Sequence, residues 1–326
     1  MSPTSSDPSS QSFRTRWTHY IDQLQDDICA ALEREDGKAR FVEDAWLRSP
    51  GGEQGGGRTR VIAGDRVFEK GGVNTSAVSG DITPQMMQAL KLPHRSEGGS
   101  WFACGLSLII HPLNPFVPTV HANWRYFELY DKGGEVSDCW FGGGADLTPY
   151  YLFEADARHF HRTLKQAISP FGSALYPVYK QQCDAYFNNA HRGFEMRGVG
   201  GVFYDHLRPD KAIAGGVVMD MEQLFAFQQA NGCSFVPAYT PIVAQRKDLP
   251  YTDAHKYWQE IRRGRYVEFN LIHDRGTLFG LRTEGRAESI LLSLPPTVRF
   301  DYNYQPLPGS EEARLLAACQ HPKAWV

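Results

Sequence analysis

The sequence predicts an α+β fold built on antiparallel strands in a single domain, and three observations predict it. Strand-like and helix-like stretches do not alternate regularly, as a doubly wound parallel sheet would require. Several strands are amphipathic rather than solidly apolar, which suits an antiparallel sheet with one face on a core. A short loop punctuated by Pro112, Pro115 and Pro118 joins two strands, which can therefore lie side by side and antiparallel.

Taken in order, residues 1–12 are rich in Ser and Pro and bury nothing, so a tail over 1–15 is expected to be disordered. From Trp17 the spacing of Tyr20, Ile21, Leu24, Ile28 and Leu32 predicts an amphipathic helix. The run GGEQGGG at 51–57 lacks the G-x-x-x-x-G-K-[ST] of a phosphate loop and reads as a mobile loop. Strands are expected at 60–63, 105–111, 121–130, 200–206, 266–273 and 289–294. Helices are expected near 154–169, 176–192, 220–231, 253–263 and 311–319. No internal repeat and no linker divides the chain after residue 60, so 16–326 reads as one domain.

Composition narrows the function. Hydrophobic residues make up 42% and aromatics 13%, enough for a sizeable core, and a net charge of −3 offers no basic surface for nucleic acid. The six cysteines stand singly without a C-x-x-C pair, giving no zinc or redox motif and pointing to a reducing compartment. No stretch reaches the roughly 18 apolar residues of a membrane helix. The start is neither a signal peptide nor an Arg-rich presequence, so a cytoplasmic protein is expected.

The stretch Val120-His121-Ala122-Asn123-Trp124-Arg125-Tyr126 carries the clearest chemistry. On a strand, His121, Asn123 and Arg125 line one face and Ala122, Trp124 and Tyr126 the other. Three polar groups backed by aromatics suit the wall of a polar cavity; a solvated strand face is the plain alternative. Arginine matches a carboxylate with a fixed fork of donors, and histidine exchanges protons near neutral pH. Ser107 and His111 share a face of the preceding strand. In the strand expected at 266–273, Val267, Phe269 and Leu271 would face the core. Glu268, Asn270 and Asp274 would lie opposite, with Asp274 and Arg275 at the strand's end; a turn-forming Asp and a surface Arg are the plain reading of that pair.

Gly142-Gly143-Gly144-Ala145-Asp146-Leu147-Thr148 reads as a tight glycine turn with an Asp or Thr cap, and Gly198–Gly201 as a point of close backbone approach. His159 and His161, two apart on a helix, cannot chelate together. His111, His161 and His191 could meet at a metal only through tertiary folding. No H-E-x-x-H and no G-x-S-x-G occurs.

The segments HPLNPFVPTVHANWRYFE (111–128), WFGGGADLTPYY (140–151), HRGFEMRGVGGVFYDHL (191–207) and YVEFNLIHDRGTLFGL (266–281) resemble the aerobic coproporphyrinogen III oxidase family. FVEDAW (41–46), GRAESILLSLPP (285–296) and YNYQP (302–306) extend the likeness. The resemblance implies a large antiparallel sheet flanked by helices on both sides and a homodimer with its interface within 266–301. It implies decarboxylation of two propionates of coproporphyrinogen III to vinyls, with molecular oxygen as co-substrate and no cofactor. It also assigns His121, Asp274 and Arg275 to catalysis, and Ser107, Asn123, Arg125, Gly285 and Arg286 to substrate binding. Glu284 departs from a glycine common in bacterial members. Histidines matching His111, His161 and His191 are the proposed ligands wherever the family is taken to bind a metal.

Overall fold

Ser12 accepts the backbone N–H of Thr15 and starts α1 (Phe13–Asp36), which ends at Gly37 in the left-handed region, φ 75°. The structure, a computed structural model, describes residues 12–90, 98–282 and 285–326. The helix therefore claims Phe13 to Thr15 from the expected tail, and the rest of that tail up to residue 11 lies outside the described residues.

After α1 come β1 (Val42–Leu47), β2 (Gly55–Ile62), β3 (Phe68–Asp81), α2 (Pro84–Leu90), β4 (Ser100–Pro112), β5 (Thr119–Tyr130) and β6 (Val136–Thr148). Then follow α3 (Glu154–Ile168), α4 (Leu175–Tyr186), the short β7 (Asn188–Asn189) and β8 (Glu195–Met196), and β9 (Gly200–Leu207). The chain closes with α5 (Met221–Cys233), α6 (Phe235–Arg246), α7 (Asp253–Ile272), α8 (Arg275–Arg282), α9 (Ala287–Leu291) and α10 (Glu311–Gln320). Seven strands form one antiparallel sheet in the order β1-β2-β3-β4-β5-β6-β9. The expected α+β class holds.

Alternation gives the sheet two unlike faces. On one, Val73, Leu106, Leu108, Ala122, Trp124 and Phe141 are buried in a core shared with Trp17, Ile21, Leu24 and Ile28 of α1. Trp17 also donates its indole N–H to the Cys104 carbonyl, 3.1 Å away. On the other face the register aligns Asn74, Ser107, Asn123 and Gly144 in one row, and Ile109, His121 and Asp146 in the next. α7 and α9 serve this polar face: Asn270 of α7 meets Arg197 and Ser293, and Ser289 of α9 meets Thr59 and Asn74. α4 packs along β9, so that edge is covered, whereas β1 leaves its edge exposed.

Five expectations are corrected. Residues 266–273 are the last turns of α7, not a strand. Tyr266, Phe269 and Asn270 are buried at helical spacing and continue the stripe of Trp258, Ile261 and Arg262. Val267, Phe269 and Leu271 match a period of two only because the run is short. Residues 289–294 begin inside α9 and continue in a turn. Gly142 to Gly144 lie within β6 instead of forming a turn, and Gly55 to Gly57 open β2. The helix expected to 192 stops at Tyr186. Close approach at Gly198–Gly201 is borne out: a Cβ on Gly201 would lie 1.9 Å from the Ala145 carbonyl oxygen.

Asp36 locks the end of α1 to the sheet. Its carboxylate accepts the N–H groups of Lys38, Ala39, Val67 and Phe68 at 2.7–3.2 Å. Burial pushes its pKa up, but these four donors outweigh burial and hold it below the usual carboxylate range. A depressed native pKa stabilises the fold above the ordinary carboxylate value, and that stability is lost as pH falls through the native one. Asp36→Asn is expected to cost roughly 2 kcal/mol at pH 7 and progressively less below pH ~4. Urea unfolding at pH 7 and at pH 3 measures both.

Candidate active site

His121, Asn123 and Arg125 project from β5 on the polar face, with Ser107 beside Asn123 on β4, as the alternation predicts. Ser107 is exposed, while His121 keeps 18% and Arg125 39% of its side chain open to solvent. Arg125 donates to Asn123 Oδ1 at 2.8 Å and pairs with Asp205 at 3.0 Å, lying flat over Gly142. A Cβ at Gly142 would stand 2.7 Å from Arg125 Nε, so only glycine leaves that guanidinium its place. Burial would raise the Asp205 carboxyl, yet its hydrogen bond with His206 and the charge of Arg125 hold it low.

Behind His121 lies a buried ion pair. His121 Nδ1 donates to Asp146 Oδ1 at 2.8 Å, because a carboxylate there can only accept. Arg197 grips the same carboxylate with two bonds, 2.8 and 3.0 Å, and donates to Asn270 of α7 at 3.0 Å. Both side chains of the pair are 2% exposed. Burial pushes Asp146 up, but the Arg197 charge and the His121 bond outweigh it and keep the carboxyl ionised. The Nδ1–H tautomer follows, which leaves Nε2 as the acceptor nitrogen of the ring.

Asp274 caps α8. Its Oδ2 accepts the Thr277 N–H and hydroxyl, each at 2.8 Å, and its Oδ1 accepts the Tyr186 hydroxyl at 2.9 Å. Among the described residues three of about four acceptor positions on the carboxylate are thereby taken, which leaves one on Oδ1. Burial would raise its pKa, but these donors and the charge of Arg197 hold it ionised. Tyr186 in turn accepts the Arg275 N–H at 3.0 Å, and its hydroxyl is pushed up to about 12 by burial and by Asp274. The Arg275 guanidinium stands 4.7 Å above the Tyr186 ring.

Tyr186 joins the two halves. It stacks on Phe203, centroids 4.4 Å apart, and Phe203 continues the row of Asn123 and Gly144. Phe187 meets His121 edge to face at 5.7 Å. The fold thus brings His121, Asn123, Arg125, Asp274 and Arg275 around one aromatic cluster. Gly285 and Arg286 stand on the other side, where Arg286 pairs with Asp44 of β1 at 2.5 Å. From β1 to β5 is four strand spacings, roughly 19 Å. Glu284 lies outside the described residues.

The three histidines expected to meet only through tertiary folding do not meet. His111 is buried between Thr119 Oγ1 and the Ser293 carbonyl, and His161 between the Tyr176 hydroxyl and the Val199 carbonyl. Burial pushes each down to about 3, so both rings are neutral. His191 instead contacts His273, Nδ1 to Nε2 2.8 Å, at the surface. Among the described residues no three His, Cys, Asp or Glu side chains converge as a ligand set. These three residues therefore do not fit one ion.

Asp146, Arg197, Tyr186 and Asp205 escaped the sequence reading. For Asp146 a signal existed, because treating 140–148 as a strand puts it on the face of Gly142 and Gly144. Nothing local announces the other three.

A family model described as coproporphyrinogen III oxidase matches residues 16–325. A relative from Glycine max, named oxygen-dependent coproporphyrinogen-III oxidase, chloroplastic, is 49% identical over 324 residues, covering 98% of this chain and 81% of its own.

Proposed function

The chain belongs to the coproporphyrinogen III oxidase family, and from that premise we propose that it converts coproporphyrinogen III to protoporphyrinogen IX in haem biosynthesis. It is an oxygen-dependent oxidoreductase. Each of two propionates loses carbon dioxide and one β-hydrogen to become a vinyl group, and oxygen accepts the two electrons released each time.

The observation that carries this reading is the pairing of carboxylate-matching arginines with two ionised acids at one polar sheet face. Arg125 and Arg275 on one side and Arg286 on the other suit a ligand whose carboxylates point apart. Ser107, Asn123 and Gly285 complete the grip. The vacant acceptor position on Asp274 takes a pyrrole N–H, raising electron density in a ring that is already reduced. Oxygen adds to that ring as a peroxide, which takes the β-proton and leaves as hydrogen peroxide when its bond to the ring breaks. The bond to the carboxylate then breaks, its electron pair forms the vinyl double bond, and carbon dioxide departs. His121, held in one tautomer by Asp146, carries protons at Nε2. No cofactor is assigned, since the reduced tetrapyrrole supplies the electrons.

A cytoplasmic homodimer belongs to the same reading. All six cysteines are free, in keeping with a reducing compartment. Leu271, Ile272, Leu291 and Phe300 stand exposed within 266–301, which suits a covered interface. Among the described residues no helix is long and apolar enough to cross a membrane.

The test is turnover of coproporphyrinogen III under oxygen, with chromatography of the product and release of carbon dioxide counted. Two carbon dioxide molecules per product are expected. A protein that binds the tetrapyrrole without turnover would make it a carrier instead.

A further inference from the structure

Beyond Arg125 the same sheet face changes character. Two residues along β5 stands Phe127, which stacks on Trp140 of β6 at 4.5 Å and 23°. Trp101 of β4 stacks on the other side of Phe127 at 5.9 Å and 7°, and His206 of β9 covers Trp140 at 5.2 Å and 13°. Four rings thus stand like books across four strands, with Trp101 and Phe127 half-buried and His206 exposed. Guanidinium groups flank the row: Arg48 lies 5.2 Å over Trp101, and Arg208 lies 5.1 Å over Trp140.

Rings stacked in this way present their edges outward, and aromatic edges carry partial positive charge. A row of such edges between two cations suits the electron-rich face of a pyrrole. The row is also tied to the site. Asp205 accepts both from Arg125 and from the backbone N–H of His206. His206 sits at φ 56°, a left-handed conformation that costs a non-glycine residue about 1 kcal/mol or more. Gly105 and Gly142 flank Arg125 in the register, and the guanidinium lies over Gly142 beside the row.

We infer that the row Trp101–Phe127–Trp140–His206 seats a non-reacting pyrrole ring of the tetrapyrrole. The inference rests on the proposed function and adds binding residues to it. The groove of about 400 Å³ between α1 and the first strands, lined by Ile21, Trp46, Arg58 and Cys104, plays no part in it.

Steady-state kinetics of Trp101→Leu and His206→Ala with coproporphyrinogen III test it. Binding of oxidised coproporphyrin III is followed alongside by quenching of tryptophan emission. Each variant is expected to raise KM and the porphyrin Kd by roughly three- to tenfold, with kcat within about twofold of the parent, as loss of uniform binding requires. Were Trp101→Leu to misfold, the exposed His206→Ala would still decide. Unchanged KM and Kd in a folded variant overturn the inference while leaving the oxidase reading intact. A parent protein with no turnover at all would overturn that reading, and the inference with it.

Discussion

Asp274→Asn is expected to lower kcat by about 10²-fold or more while leaving folding nearly untouched. The expectation comes from the double use of this carboxylate. As the cap of α8 it accepts the Thr277 N–H, and asparagine caps a helix about as well as aspartate. The Tyr186 hydroxyl can turn to accept from the new amide. What asparagine cannot reproduce is the negative charge that draws a pyrrole N–H. Asp274→Ala separates the two roles, since it should lose the same activity and about 1 kcal/mol of stability besides. Rate measurements at saturating substrate with parallel urea unfolding check both variants. Parent-like turnover in Asp274→Asn would leave this residue only its structural task, the plain reading of an Asp at a turn.

Arg197→Met should be the most damaging single change to the fold. It leaves Asp146 buried with His121 as its sole ionic partner among the described residues, and breaking a buried pair from one side costs roughly 3–5 kcal/mol. With the guanidinium gone, burial dominates and raises the Asp146 pKa. The native state then binds a proton that the unfolded chain gives up, so the damage is largest near pH 8 and shrinks toward pH 5. Proton transfer at His121 should fail as well, since its Nδ1 partner has lost its fixed charge. Adding Asp146→Leu removes the stranded carboxylate and should recover most of the stability without recovering turnover. Denaturant titrations of the two single variants and the double at pH 5 and 8 give the coupling. Full recovery of both stability and rate would mean that the pair only fills space.

Much of the site was legible from local pattern. His121, Asn123, Arg125 and Ser107 lie on one face because a strand alternates whatever surrounds it, and Pro112 to Pro118 kept their two strands adjacent. The same reasoning failed at 266–273, where eight residues satisfied two periods at once. There the choice of helix was made by Tyr266, Phe269 and Asn270 finding His111, Phe187 and Arg197 to pack against. Asp274 changed its setting, from an expected strand end to a helix cap.

Chain order alone therefore determined the α+β class, the polar face of β5 and the family resemblance, all of which depend on residues close together in sequence. Tertiary structure alone decided that Asp146 stands opposite His121, that Arg197 neutralises it from 51 positions away, and that Tyr186 reaches Asp274 across 88. It also separated His111, His161 and His191 into unrelated surroundings. The physical reason is that spacing along a chain sets the direction of a side chain, whereas charge partners are set by strand register and helix packing, which no local window contains.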